Sequence, residues 1–113
     1  MSRLVDLLQE LGFSEYESRA YVALLAKSPL TGYQVAKASK VPRANVYAVL
    51  QKLEDRGAVL RVDTSAGLRY APVAPEELTR RLGSRFERAL SAARTAMAEA
   101  SKPREAEFVW NAR

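Results

Sequence analysis

Arg43, Asn45, Gln51 and Lys52 lie on the polar side of a segment whose apolar residues, Val46, Val49, Leu50 and Leu53, repeat at helical spacing. Guanidinium and carboxamide groups carry paired hydrogen-bonding atoms. Arg matches the O6 and N7 acceptors of guanine, and Asn or Gln matches N6 and N7 of adenine. The chemistry on offer is therefore recognition of base edges rather than bond making. Arg43 and Asn45 open the segment and Gln51 lies deeper along it; Ala44 and Ala48 are small enough for close approach or contact with a thymine methyl. These five are the candidate base-reading residues. Thr31, Tyr33, Gln34, Lys37 and Lys40 come just before, and Tyr47 and Lys52 share the segment. Their hydroxyl, amide and ammonium groups suit phosphate oxygens, which position a protein on a duplex without specifying sequence.

Other chemistries find little support. The chain has no Cys and no His, so thiolates, disulfides and imidazole ligands or bases are absent. The acidic pairs Glu54-Asp55 and Glu76-Glu77 fit helix ends, where the latter pair would oppose the helix dipole favourably. Gly32 and Gly83 are isolated and do not make a phosphate-binding loop. No catalytic residue, metal or cofactor is expected, and the chain is not expected to be an enzyme. No apolar run approaches the roughly 18 residues of a membrane span, and no signal peptide is visible at the N-terminus. A cytoplasmic protein that binds no membrane is expected.

Charge singles out the same region. The net charge is +5, and residues 27–61 alone carry seven basic against two acidic groups. An excess placed on the reading segment is the footprint of a polyanionic partner, double-stranded DNA.

The elements that must position these residues follow from local signals. Leu4, Leu7, Leu8 and Leu11 read as one apolar helical stripe closed by Gly12. Ser14 and Glu17 form a capping box for a second helix to about Lys27, with Ala20, Tyr21, Leu24 and Leu25 inward. Thr31 and Gln34 cap a short third helix with Val35, Ala36 and Ala38 inward. A turn at residues 39–41 leads to Pro42 at the first position of the reading helix, which Gly57 ends. Residues 58–62 and 68–73 then read as strands around a polar turn at 63–67, a wing with Thr64, Ser65 and Arg69 near its tip. From Pro75 a helix runs to about Ser101. Its residues Leu78, Leu82, Phe86, Leu90, Ala93, Met97 and Ala100 step by three and four, close to a coiled-coil seam. The expected fold is mainly α: a winged helix-turn-helix with a two-stranded wing and a long C-terminal dimerisation helix. Its expected parts are residues 1–74, 75–102 and a short tail, 103–113.

Several of these motifs, in this order, resemble the N-terminal domain of the TrmB family of sugar-responsive transcriptional regulators. The resemblance rests on Leu11-Gly12-Phe13-Ser14 with Glu17, on Tyr21-Val22-Ala23-Leu24-Leu25, and on Val41-Pro42-Arg43 with Val46-Tyr47-Ala48-Val49-Leu50. It continues through Leu53-Glu54-Asp55-Arg56-Gly57 and Tyr70-Ala71-Pro72-Val73. It implies a winged helix, a dimerising coiled-coil helix and then a sugar-binding domain. The chain stops about where that sensor would begin, with Phe108-Val109-Trp110 resembling its opening strand. It therefore reads as a DNA-binding fragment or a short member without a sensor, and no small-molecule effector site is expected in it.

The expected function is a homodimeric, sequence-specific DNA-binding transcriptional regulator. It would act on a palindromic promoter element, with half-sites about 34 Å or a multiple apart. Two alternatives compete: a winged-helix protein-interaction module, and a DNA-binding protein without sequence preference.

Overall fold

The computed structural model describes residues 2–101, in the order α1 (Arg3–Glu10), α2 (Glu15–Ala26), α3 (Gly32–Ser39), α4 (Arg43–Asp55), β1 (Val59–Thr64), β2 (Gly67–Pro72) and α5 (Pro75–Ala100). Phe108 and Trp110 lie outside the described residues. The chain divides into two compact units, the first ending at Leu78 and the second beginning at Thr79. The first is a winged helix-turn-helix.

Local chemistry sets the helix ends. Ser2 caps α1, its Oγ accepting from Val5 N at 3.2 Å. Ser14 Oγ accepts from Glu17 N at 3.0 Å while Glu17 Oε1 accepts from Ser14 N at 2.9 Å. Thr31 and Gln34 repeat the exchange at 3.0 and 2.9 Å. Each reciprocal pair satisfies two N–H groups that a helix start otherwise leaves without partners.

The core of this unit gathers one face of each helix. Leu24, Val35, Val46, Leu50 and Leu53 are almost wholly buried, and each stabilises the fold by about 1.5–3 kcal/mol. All four residues of the α4 stripe (Val46, Val49, Leu50, Leu53) are buried. Tyr21 is buried too and donates its hydroxyl hydrogen to Val73 O at 2.8 Å. Burial raises its pKa by penalising the phenolate.

Four local expectations are corrected. In α1 the buried residues are Val5 and Leu8, whereas Leu4, Leu7 and Leu11 stay 41, 40 and 52% exposed. Val5, Leu8 and Phe13, which follows a turn at Gly12 (φ 104°), supply the inward face instead. A short helix with apolar residues on both sides does not announce which side is inward. Likewise Leu25 and Ala38 are exposed, and Ser39 takes the buried place at the end of α3. Its hydroxyl donates to Val35 O at 2.6 Å and accepts from Val41 N at 3.2 Å, so a polar side chain is fully paired there. Pro42 is the N-cap of α4, one position earlier than expected.

The wing is tighter than its sequence suggests. β1 and β2 pair antiparallel from Val59 with Pro72 to Thr64 with Gly67, leaving Ser65 and Ala66 alone in the turn. Gly67 takes φ 116°, a conformation open to Gly at little cost. Leu30 adds a third, single-residue rung, exchanging backbone hydrogen bonds with Tyr70 at 3.0 and 2.7 Å.

Leu78 is the last residue of this unit and is 2% exposed, so it belongs to the winged-helix core rather than to a free seam. In α5 beyond it no side chain is buried. Leu82 and Leu90 are half-buried; Phe86 and Met97 are 65 and 62% exposed, and Ala93 and Ala100 are exposed. Among the described residues no helix is long and apolar enough to cross a membrane.

Candidate nucleic-acid interface

α3 and α4 are joined by a turn that places Lys40 in the left-handed region, at φ 63°. An L-residue with a side chain adopts that conformation at a cost of about 1–2 kcal/mol. Arg19 of α2 holds the turn: its Nε donates to Ser39 O at 3.2 Å and its Nη2 to Lys40 O at 2.8 Å. A cation on the last carbonyls of α3 also complements the helix dipole. The turn fixes the angle between α3 and α4, and with it the face that α4 presents.

With the α4 stripe buried, Arg43, Ala44, Asn45, Ala48, Gln51 and Lys52 are all exposed. Arg43 is the first residue of the helix, and its guanidinium carbon lies 4.9 Å from the centre of the Tyr33 ring. Lys37 Nζ lies 6.0 Å from the same ring. Gln51 differs from its neighbours on the face. Its Nε2 donates to Asp55 Oδ1 at 3.0 Å and its Oε1 accepts from Arg61 at 3.4 Å, so its amide is engaged with α4 and the wing.

The residues expected at phosphates fall into two groups. Tyr33, Lys37, Lys40, Tyr47 and Lys52 are exposed; Thr31 and Gln34 have oxygens committed to the capping box. Tyr47 lies over Gly32 so closely that a Cβ there would fall on its ring. Gly32 is thus a contact point between α3 and α4, a role invisible in its isolated sequence position. On the wing, Ser65 is exposed. Thr64 donates its hydroxyl hydrogen to Gly67 O at 2.7 Å and accepts from Ala66 N at 3.1 Å, and Arg69 folds back on Leu68 O at 3.3 Å.

Two cations of the basic stretch are spent inside the fold. Arg61 meets Glu54 through Nε at 3.0 and 3.1 Å, a contact that raises its pKa further. Arg56 donates to Gly12 O at 2.9 Å and to Glu17 at 3.2 Å, and its guanidinium lies 3.9 Å from the Phe13 ring centre. By contrast Lys27, Lys37, Lys40, Arg43 and Lys52 make no ion pair among the described residues. Nor do the described residues hold a group of His, Cys, Asp or Glu side chains able to hold a metal.

This arrangement, an exposed helix face opening on Arg43 and ringed by unpaired cations, is suited to a polyanion with readable edges. The chain matches the family model described as "Sugar-specific transcriptional regulator TrmB" over residues 8–76. It is 52% identical over 75 residues to the protein YrhO of Bacillus subtilis, covering 66% of this chain and 27% of that one. To the DNA-binding HTH-type transcriptional repressor TrmBL2 of Thermococcus kodakarensis it is 40% identical over 77 residues, 67% of this chain and 29% of the relative. Among solved structures it is similar to TrmBL2, described as an archaeal chromatin protein with a novel mode of DNA binding. The TM-score is 0.80 at 33% identity, over 87% of this chain and 38% of that one. The chain therefore spans less than a third of the length of these curated relatives.

Proposed function

The chain belongs to the TrmB family, and from that premise we propose that it is a DNA-binding transcriptional regulator acting in the cytoplasm as a homodimer on a palindromic promoter element. One observation carries the reading: the solvent-facing side of α4, beginning at Arg43, with Lys37, Lys40 and Lys52 around it and none of them ion-paired among the described residues. In the proposal Arg43 and Asn45 read base edges at the start of the helix, Ala44 and Ala48 let the backbone come close, and Gln51 reads only by releasing Asp55 and Arg61. Tyr33, Tyr47, Thr31, Gln34 and the three lysines contact phosphate, and the wing reaches the backbone through Ser65, Thr64 and Arg69.

Homodimerisation is assigned to α5. Leu82, Phe86, Leu90, Ala93, Met97 and Ala100 form an apolar stripe on a helix without a buried side chain beyond Leu78, and a second copy of the helix would cover it. Two reading helices on one dimer then meet half-sites about 34 Å or a multiple apart.

Selection of bound duplexes from a random pool at near-physiological salt tests the reading. An enriched inverted repeat supports it. Leu90→Arg then gives monomers in analytical ultracentrifugation, and an intact dimer would remove α5 from the interface. A second reading is favoured by the similarity to TrmBL2, described as a chromatin protein: charge-driven coating of DNA without sequence preference. Binding with no enriched motif would select it.

A further inference from the structure

We propose that Tyr33 is a specificity-determining positioning residue, its ring holding the Arg43 guanidinium in the orientation from which it reads a base. The proposal rests on the assignment of Arg43 to base readout and goes beyond it by naming what preorganises that side chain. Arg43 is exposed at the start of α4 and has no ion pair among the described residues, so nothing electrostatic within α4 fixes its rotamer. A free Arg side chain carries rotamer entropy that binding must otherwise remove. The Tyr33 ring, 4.9 Å away, supplies the restraint from a different helix.

The geometry suits the task for two reasons. A guanidinium that lies with its flat face against a ring keeps its N–H donors in the plane, pointing outward from the edge. Stacking on Tyr33 and bidentate bonding to guanine O6 and N7 are therefore compatible at the same time. The ring also sits on a fixed base. Its neighbour Gly32 is in direct contact with Tyr47 of α4, so the start of α3 cannot drift from the start of α4 without losing that contact. Lys37, 6.0 Å from the same ring, adds a second cation to the cluster on α3. This role differs from a phosphate contact by the Tyr33 hydroxyl, and the two separate cleanly by substitution.

Tyr33→Phe keeps the ring and removes the hydroxyl; Tyr33→Leu removes the ring. Tyr33 is 48% exposed, so neither variant empties the core. Affinity is measured for the selected duplex and for one with the Arg43-dependent base pair replaced. Tyr33→Phe keeps the parent's discrimination, and Tyr33→Leu loses about two- to fivefold of it, the loss of an exposed cation–π contact. In an Arg43→Ala background Tyr33→Leu changes discrimination no further. In the DNA-free protein, Tyr33→Leu lowers the heteronuclear NOE of the Arg43 Nε–Hε group and Tyr33→Phe does not. Unchanged discrimination in Tyr33→Leu, or an unchanged NOE, overturns the proposal. So does a loss of discrimination in Tyr33→Phe as large as that in Tyr33→Leu, which would assign the effect to the hydroxyl rather than to the ring. If Arg43→Ala itself leaves discrimination intact, the readout assignment fails; if it relaxes discrimination while Tyr33→Leu does not, only the positioning role fails.

Discussion

Removing Lys37 flattens the salt dependence of DNA binding, and removing the Arg61–Glu54 pair leaves it unchanged. Of the seven basic residues between 27 and 61, Arg56 and Arg61 face carboxylates at 3.2 and 3.0 Å. Their charges are compensated within the fold before DNA arrives. Each phosphate neutralised on B-DNA contributes about −0.9 to the slope of log affinity against log salt. With Lys37, Lys40 and Lys52 as the phosphate contacts, the slope is about −2.7 per protomer and about −5.4 for a dimer. Between 50 and 200 mM salt that slope lowers affinity roughly 1,800-fold. Lys37→Ala brings the dimer slope to about −3.6 and the same salt step to roughly 150-fold. The double variant Arg61→Gln with Glu54→Gln leaves the net charge unaltered and stays within about 0.3 of the parent slope. Fluorescence anisotropy of a labelled duplex at four salt concentrations reads all three proteins. A double variant as flat as Lys37→Ala would mean that Arg61 abandons Glu54 for a phosphate, and the assignment of charge by ion pairing would be refuted.

Three further outcomes follow from side chains that hold the reading unit together. Arg56→Ala removes the bonds to Gly12 O and Glu17 and uncovers Phe13, leaving the carboxylate of buried Glu17 with only Ser14 N as partner. Breaking a fully buried pair costs about 3–5 kcal/mol, and since the Arg56 side chain is 28% exposed the expected loss is about 2–3 kcal/mol in urea denaturation; a loss below about 1 kcal/mol contradicts it. Lys40→Gly relieves a left-handed residue by about 1–2 kcal/mol and adds about 0.5–1 kcal/mol of unfolded-state entropy, so stability rises by about 0.5–1 kcal/mol. The same variant makes the salt slope shallower by about 0.9 per protomer, and a variant that is less stable or equally salt-sensitive counts against the assignment. Tyr21 titrates above its ordinary value in the folded state because burial penalises its phenolate. Its contribution is therefore complete below about pH 10, where the unfolded phenol starts to ionise, and is lost as pH rises through the folded pKa. Tyr21→Phe shows a shallower alkaline loss of stability, at a cost near neutral pH of about 1 kcal/mol for the bond to Val73 O; parallel stability curves above pH 10 would contradict this.

What was legible in the sequence is what short-range chemistry determines. Ser14 with Glu17 and Thr31 with Gln34 are three residues apart, and each pair can satisfy a helix start wherever the rest of the chain goes. Val46, Val49, Leu50 and Leu53 leave α4 one apolar side, so its buried and exposed faces follow without knowledge of the neighbours. The α1 leucines carry no such information. Val5 and Leu8 compete with Leu4, Leu7 and Leu11 for the core, and what decides is the position of Phe13 and the docking of α2, neither of which spacing encodes. Leu78 is ambiguous for a related reason: it fits the α5 repeat and the winged-helix core equally well, and tertiary packing takes it for the core.

The functional face shows the same division, with a consequence for how basic composition is interpreted. The charge excess of residues 27–61 is visible in the sequence, but the fate of each charge is settled by partners far along the chain. Arg56 reaches Glu17 across 39 positions and Gly12 across 44, and Arg19, outside the basic stretch, reaches Ser39 across 20. Counting side chains treats these cations as equals of Lys37 and Lys52, although some support the α3–α4 geometry and the others remain available to a ligand. Arg43 stands between the two classes. It has no carboxylate to compensate it, yet the Tyr33 ring restrains it, so its charge stays available while its direction is narrowed. A cation that is free in charge and fixed in orientation meets the requirement of base readout, since bidentate recognition needs an aligned donor pair and not merely a positive surface. Free lysines meet the looser requirement of phosphate, which accepts a point charge from many directions. In the proposed function, the division of labour between reading and anchoring therefore lies in which cations the fold restrains without neutralising.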